Sequence, residues 1–119
     1  MSVLRPGGSN YIGVRDIPAA VTWYSEKLGL RKLKAEMDDC ADCVTLGFDK
    51  ENYAVTIGPI GLPTDELTHS LFTGNVEKAR KWLSSRGVQV SESQTDRQGT
   101  RFFEMRDPEN NVIEISEEP

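Results

Sequence analysis

Two ten-residue stretches 58 positions apart carry the same pattern. Phe48-Asp-Lys-Glu-Asn-Tyr-Ala-Val-Thr-Ile57 and Arg106-Asp-Pro-Glu-Asn-Asn-Val-Ile-Glu-Ile115 match in register: Asp49 with Asp107, Glu51 with Glu109, Asn52 with Asn110, Ile57 with Ile115. Gly29-Leu30 and Gly87-Val88 keep the same spacing. Duplication on this scale implies a supersecondary unit built twice. Each copy reads as a turn followed by a strand, because Asp, Asn and Pro favour turns and the β-branched residues after them favour strands. In the second copy Glu114 alternates with Ile113 and Ile115, so it points to the opposite face of its sheet. A carboxylate there fills no core and is the leading functional candidate. The first copy has Thr56 at the same place.

The remaining elements fit around the repeat. Ser9 to Val14 reads as a strand with Ser9, Tyr11 and Gly13 on one face and Asn10, Ile12 and Val14 on the other. Asp16 caps a helix with Pro18 in its first turn; Ile17, Val21, Tyr24 and Leu28 recur at helical spacing, and Gly29 ends it. Leu30–Met37, Cys43–Phe48 and Tyr53–Gly58 are predicted strands. After a turn-rich linker over 59–66, the plan repeats: a strand over Thr68–Thr73, then a helix capped by Asn75 with Val76, Ala79 and Leu83 as its apolar stripe. Gly87 closes that helix, and strands follow at Val88–Ser93, Thr100–Met105 and Val112–Ser116. The expectation is an α+β domain of two βαβββ modules, at about 8–58 and 67–117. Helices would cover one face of each sheet and leave the other face free to curve around a ligand. On that free face Thr100, Phe102 and Glu104 would stand beside Glu114, with Phe103 and Met105 turned to the helices.

At 119 residues the chain is one domain by length. A net charge of −5 argues against nucleic acid as a partner. No apolar run is long enough to span a membrane, and the first residues lack a signal peptide's apolar segment, so the expected location is cytoplasmic. Cys40 and Cys43 have the spacing of a redox pair or half a zinc site. With no second Cys pair, and with Asp38, Asp39 and Asp42 opposing thiolate formation, they read as a hairpin turn entering a strand.

Val14-Arg-Asp16 leading into Trp23-Tyr24, then Lys27-Leu-Gly-Leu30, together with Phe103-Glu-Met-Arg-Asp-Pro-Glu-Asn-Asn-Val-Ile-Glu-Ile115, resembles the vicinal oxygen chelate superfamily, the glyoxalase/bleomycin resistance protein/dioxygenase group. The likeness covers nearly the whole chain. It implies sheets forming a U-shaped cleft, usually in a homodimer, with a divalent metal held by one residue from the first and last strand of each module. Carried over by position, the metal ligands are His69 and Glu114 in the second module. The first module has Ser9, Asn10 or Tyr11 at one position and Thr56 at the other. Glu104 could complete a set of three with His69 and Glu114 for Zn, Ni, Mn or Fe.

Two functions compete. The first is a metal-poor, drug-sequestering type of small-molecule binder, with Phe102 and Tyr11 as aromatic surface, Thr56 and Thr100 beside them, and Glu104 and Glu114 for a cationic ligand. The alternative is a metal-dependent lyase, isomerase or dioxygenase acting on vicinal oxygens. There Glu104 and Glu114 are the catalytic carboxylates: His69 and Glu114 hold the ion, and Glu104 is the candidate general base. An interaction module using Trp23 and Trp82 as anchors is a third reading.

Overall fold

A computed structural model describes residues 4–7, 10–33, 42–60 and 69–118. Helix α1 (Ile17–Leu28) starts where Asp16 accepts a hydrogen bond from the Ala19 amide at 3.1 Å. It stops at Gly29, whose φ of +70° is left-handed, with Leu30 N–H closing back on the Ser25 carbonyl. Helix α2 (Val76–Ser85) is capped the same way by Asn75, which accepts from Lys78 N–H. The repeated Gly-hydrophobic pairs are therefore the ends of equivalent helices.

The first module is β2 (Tyr11–Val14), α1, β3 (Arg31–Leu33), β4 (Val44–Gly47) and β5 (Tyr53–Pro59), with sheet order β2-β5-β4-β3. The second is β6 (His69–Thr73), α2, β7 (Gln89–Val90), β8 (Gln94–Thr95), β9 (Arg101–Arg106) and β10 (Val112–Glu117). Its order is β6-β10-β9-β7, with β8 also on β9. In each sheet the first and last strands are parallel and the rest antiparallel, as a βαβββ unit requires.

Two expectations need revision. A short strand, β1 (Leu4–Pro6), precedes the first module and pairs antiparallel with β6 of the second, burying Leu4. Of the strand expected at Val88–Ser93 only Gln89–Val90 forms, and a separate β8 follows at Gln94–Thr95. Arg80 Nε holds the Ser91 carbonyl, and the Ser91 hydroxyl receives the Glu104 amide, so the chain leaves the ladder between β7 and β8. Of the strand expected at Leu30–Met37, the part beyond Leu33 lies outside the described residues, as do Ser9, Cys40, Thr68 and most of the linker. Cys43 precedes β4 and is disulfide-bonded.

The core lies between helices and sheets. Ile12, Ile57 and Leu46 pack with Tyr24 and Leu28 in one module; Leu71, Ile113, Ile115, Phe103 and Met105 pack with Val76, Ala79 and Leu83 in the other. Burying each large apolar side chain contributes roughly 1.5–3 kcal/mol. Trp23 and Trp82 pack against the same core, Trp82 with the Arg86 guanidinium 4.8 Å over its ring.

The modules are joined by polar contacts. The buried Asn10 amide donates to the carbonyls of Ala54 (3.0 Å) and Ser70 (2.8 Å) and accepts from Ser70 N–H (3.1 Å). It continues along the β6 edge where β1 stops, in the manner of one more ladder rung. Tyr24 of α1 donates to Asp107 at 2.8 Å, and the Glu109 carboxylate receives the amides of Arg15 and Asp16. Lys27 and Arg86 exchange bonds with each other's backbone carbonyls at the far ends of the helices.

Candidate functional site

Cross-strand register decides which side chains share a face. In the second sheet Leu71, Ile115 and Phe103 are aligned and fully buried, which fixes the helix side. One residue out of phase, Ser70, Glu114 and Glu104 form a row on the opposite, helix-free face. Phe72, Ser116 and Phe102 form the next row on that face. The pairing of Glu104 with Glu114 and the exposure of Phe102 toward this face agree with the alternation in the sequence. Ser70 and Phe72 were missed there. Their signal was the Leu71 alternation, which places both neighbours outside the core.

Glu114 is half-buried, and its carboxylate accepts no hydrogen bond from any described residue. Burial raises its pKa, and the facing charge of Glu104, with that of Asp96, raises it further. Like charges directly opposite in an antiparallel pair destabilise the sheet. Nothing in the fold of these strands requires the pair.

His69 departs from its expected role. It is in register with Ile113, which is fully buried and itself aligned with Met105. Its imidazole therefore projects on the core side, opposite to Glu114, and is half-buried. Burial lowers its pKa, while the nearby Asp107 charge partly counters the effect. Asp107 itself sits under Tyr24 in the interior. The expected ligand pair His69–Glu114 is thus split across the sheet, and Glu104 cannot complete a set of three. A one-residue difference in register is the cause: His69 has the parity of Leu71, not of Ser70.

The described residues of the first module supply no substitute. Tyr11 is in register with Thr56 on the free face, but its hydroxyl donates to the Pro59 carbonyl at 2.7 Å. Burial raises its pKa. Its ring lies over Gly58, where any Cβ would collide with it. The hydroxyls of Thr56 and Thr45 bond each other at 3.1 Å. Asn10 is consumed in joining the modules. Thr100 lies at the foot of β9, where its amide donates to Asp96. Among the described residues no group of three His, Cys, Asp or Glu side chains could hold a metal ion. The described residues do not fit a divalent metal.

What the free faces offer is two adjacent carboxylates, neither hydrogen-bonded to a described residue, beside the half-buried rings of Phe72 and Phe102, with Tyr11, Thr56 and Thr45 on the companion sheet. Such a surface can receive hydrogen-bond donors and cations on the acids and flat apolar groups on the rings. No helix among the described residues is long and apolar enough to cross a membrane.

Comparison with solved structures places this architecture. A superfamily member from Sphaerobacter thermophilus aligns with TM-score 0.73 at 26% identity, covering 92% of this chain and 94% of the other. An integron cassette protein from Vibrio cholerae aligns at 0.63 and 25% identity, covering 93% of each chain. A lactoylglutathione lyase from Agrobacterium tumefaciens shares the fold alone, at 0.68 and 14% identity over 92% of this chain and 90% of that one. No curated protein matches the sequence. The model of the Glyoxalase/Bleomycin resistance protein/Dioxygenase superfamily matches residues 8–115. Duplicated βαβββ modules, the solved relatives and that match lead to one conclusion: the chain belongs to the glyoxalase/bleomycin resistance protein/dioxygenase superfamily.

Proposed function

We propose that this chain is a metal-independent small-molecule binder that takes a flat ligand bearing a cationic or hydrogen-bond-donating group on the helix-free faces of its sheets. The observation that carries the reading is Glu114: half-buried, unbonded, and aligned with Glu104 next to Phe102 and Phe72. A partly exposed carboxylate with no partner among the described residues keeps its acceptor sites open to a ligand's donors. The acid receives the ligand's charge and the rings receive its face, with Tyr11 and Thr56 on the free face of the other sheet. The net charge of −5 favours encounter with cations. A homodimer, the habit that the family resemblance implies, is part of this proposal and is checked by sedimentation. The lyase, isomerase and dioxygenase alternative is not carried forward, because His69 has the wrong parity to share an ion with Glu114.

The test is a thermal-shift comparison of an acridinium cation with its neutral carbon isostere, anthracene solubilised in cyclodextrin, in the presence of chelator. Ligand binding stabilises by RT ln(1 + [L]/Kd). The cation should raise Tm in the native chain and do so far less in Glu114→Gln. Equal shifts with both compounds, or a shift that appears only when Zn, Ni, Mn or Fe is supplied, would reject the reading.

A further inference from the structure

A pocket of about 600 Å³ opens where the two modules meet, and it shares no residue with the carboxylate face. It is lined by Gly13, Arg15, Asp16, Ile60, Pro108, Glu109 and Asn111. Its size is that of a small-molecule site. Its groups have unused capacity. Arg15 is exposed, and its guanidinium bonds no described residue, only its backbone amide being engaged with Glu109. The Glu109 carboxylate is fixed by the amides of Arg15 and Asp16, which leaves further lone pairs for an incoming donor. Asn111 donates its amide protons to Gly13 O and Asp107, so its Oδ1 is held in place and accepts nothing from the described residues. Ile60 is 59% exposed at this pocket, one of two large apolar side chains left so open among the described residues. Gly13 keeps the wall low, since a Cβ there would press on the Ile60 backbone at 3.2 Å.

One cation, two fixed carboxylates (Glu109, and Asp16, which accepts the Ala19 amide), a fixed amide oxygen and an apolar wall of Ile60 and Pro108 define a complementary ligand. We infer that the seam pocket binds a zwitterionic small molecule of the amino-acid type with an apolar side chain. Its carboxylate meets Arg15 as a charge-assisted pair, and its ammonium meets Glu109 and Asn111 Oδ1. Its side chain covers Ile60 and Pro108. Because Arg15 and Ile60 come from the first half of the chain and Glu109 and Asn111 from the second, the ligand ties the modules together.

The experiment is a titration of the full chain followed by backbone amide NMR, using L-leucine, isoamylamine (leucine without its carboxylate), 4-methylpentanoate (leucine without its ammonium) and glycine. Leucine should shift the amides of Arg15, Asp16 and Asn111 saturably. Each truncated compound and glycine should bind at least about tenfold more weakly, which is roughly 1.4 kcal/mol. Arg15→Gln should weaken leucine to the level of isoamylamine, and Glu114→Gln should leave leucine unaffected. No saturable shift at these amides would overturn the proposal, as would isoamylamine, 4-methylpentanoate or glycine matching leucine. Shifts abolished by Glu114→Gln would assign the ligand to the carboxylate face instead.

Discussion

Glu114 and His69 are separated by the thickness of one sheet, and their titrations run in opposite directions. The Glu114 carboxyl is held above its ordinary range by burial and by Glu104. Its protonated form is favoured by the fold, so its contribution to stability is full at low pH and lost as pH rises through its folded pKa. Replacing it with Gln should therefore raise Tm at neutral pH, with the gain shrinking to nothing in acid; calorimetry across pH 3–8 (about pKa-spanning for a carboxyl) measures this. The His69 imidazole has the reverse linkage. Burial lowers its pKa from 6.5, so the fold prefers the neutral ring, and stability is lost as pH falls through and below that value. His69→Gln should flatten this acid-side decline in denaturant midpoint below about pH 6.5. An unchanged pH profile would place the ring in solvent.

At the scale of elements, β9 and β10 perform two tasks on alternate residues. Phe103, Met105, Ile113 and Ile115 close the core, while Phe102, Glu104 and Glu114 face away from the helices. Phe103→Ala should cost about 3–5 kcal/mol in urea unfolding, the range for emptying a fully buried aromatic site. Phe102→Ala should cost far less, because that ring is only half-buried. These strands were legible in the sequence because alternation and turn chemistry agree over Arg106–Ile115. The left-handed Asn110, with φ +69°, is the kind of residue that turn demands. Both helix caps were equally plain. The β7–β8 break was not, since it depends on Arg80 and Ser91 bonds made only in the folded state. Strand β1 was hidden because three residues carry no periodicity and its partner lies in the other module. The parity of His69 was the costly miss. A helix or strand start can shift by one residue without changing the local pattern, and one residue reverses the face.

For the whole molecule the duplicated plan has diverged at its seam. Asp107 accepts Tyr24 from the other module, whereas its counterpart Asp49 accepts only from its own turn residues Glu51 and Asn52. Glu109 grips the start of α1. Asn10 has three bonds across the seam or beside it, and Asn10→Ala would strand two carbonyls and an amide. Losing a buried, fully bonded amide costs about 1–3 kcal/mol per unsatisfied group at most. The expected outcome is a drop of roughly 2–3 kcal/mol in two-state unfolding. Amide exchange should quicken at Ser70 before it does in the cores.

The central claim is that the second module turns its carboxylates to the free face and its imidazole to the interior, so the two cannot share an ion. NMR of the His69 ring tests it most directly, through NOE contacts and a titration with Zn. The account predicts NOEs from the ring to the side chains of Ile113 and Met105, and ring resonances that do not move at stoichiometric metal. Ring NOEs to Glu114 Hγ, with His69 and Glu114 shifting together at one equivalent of Zn, would contradict it.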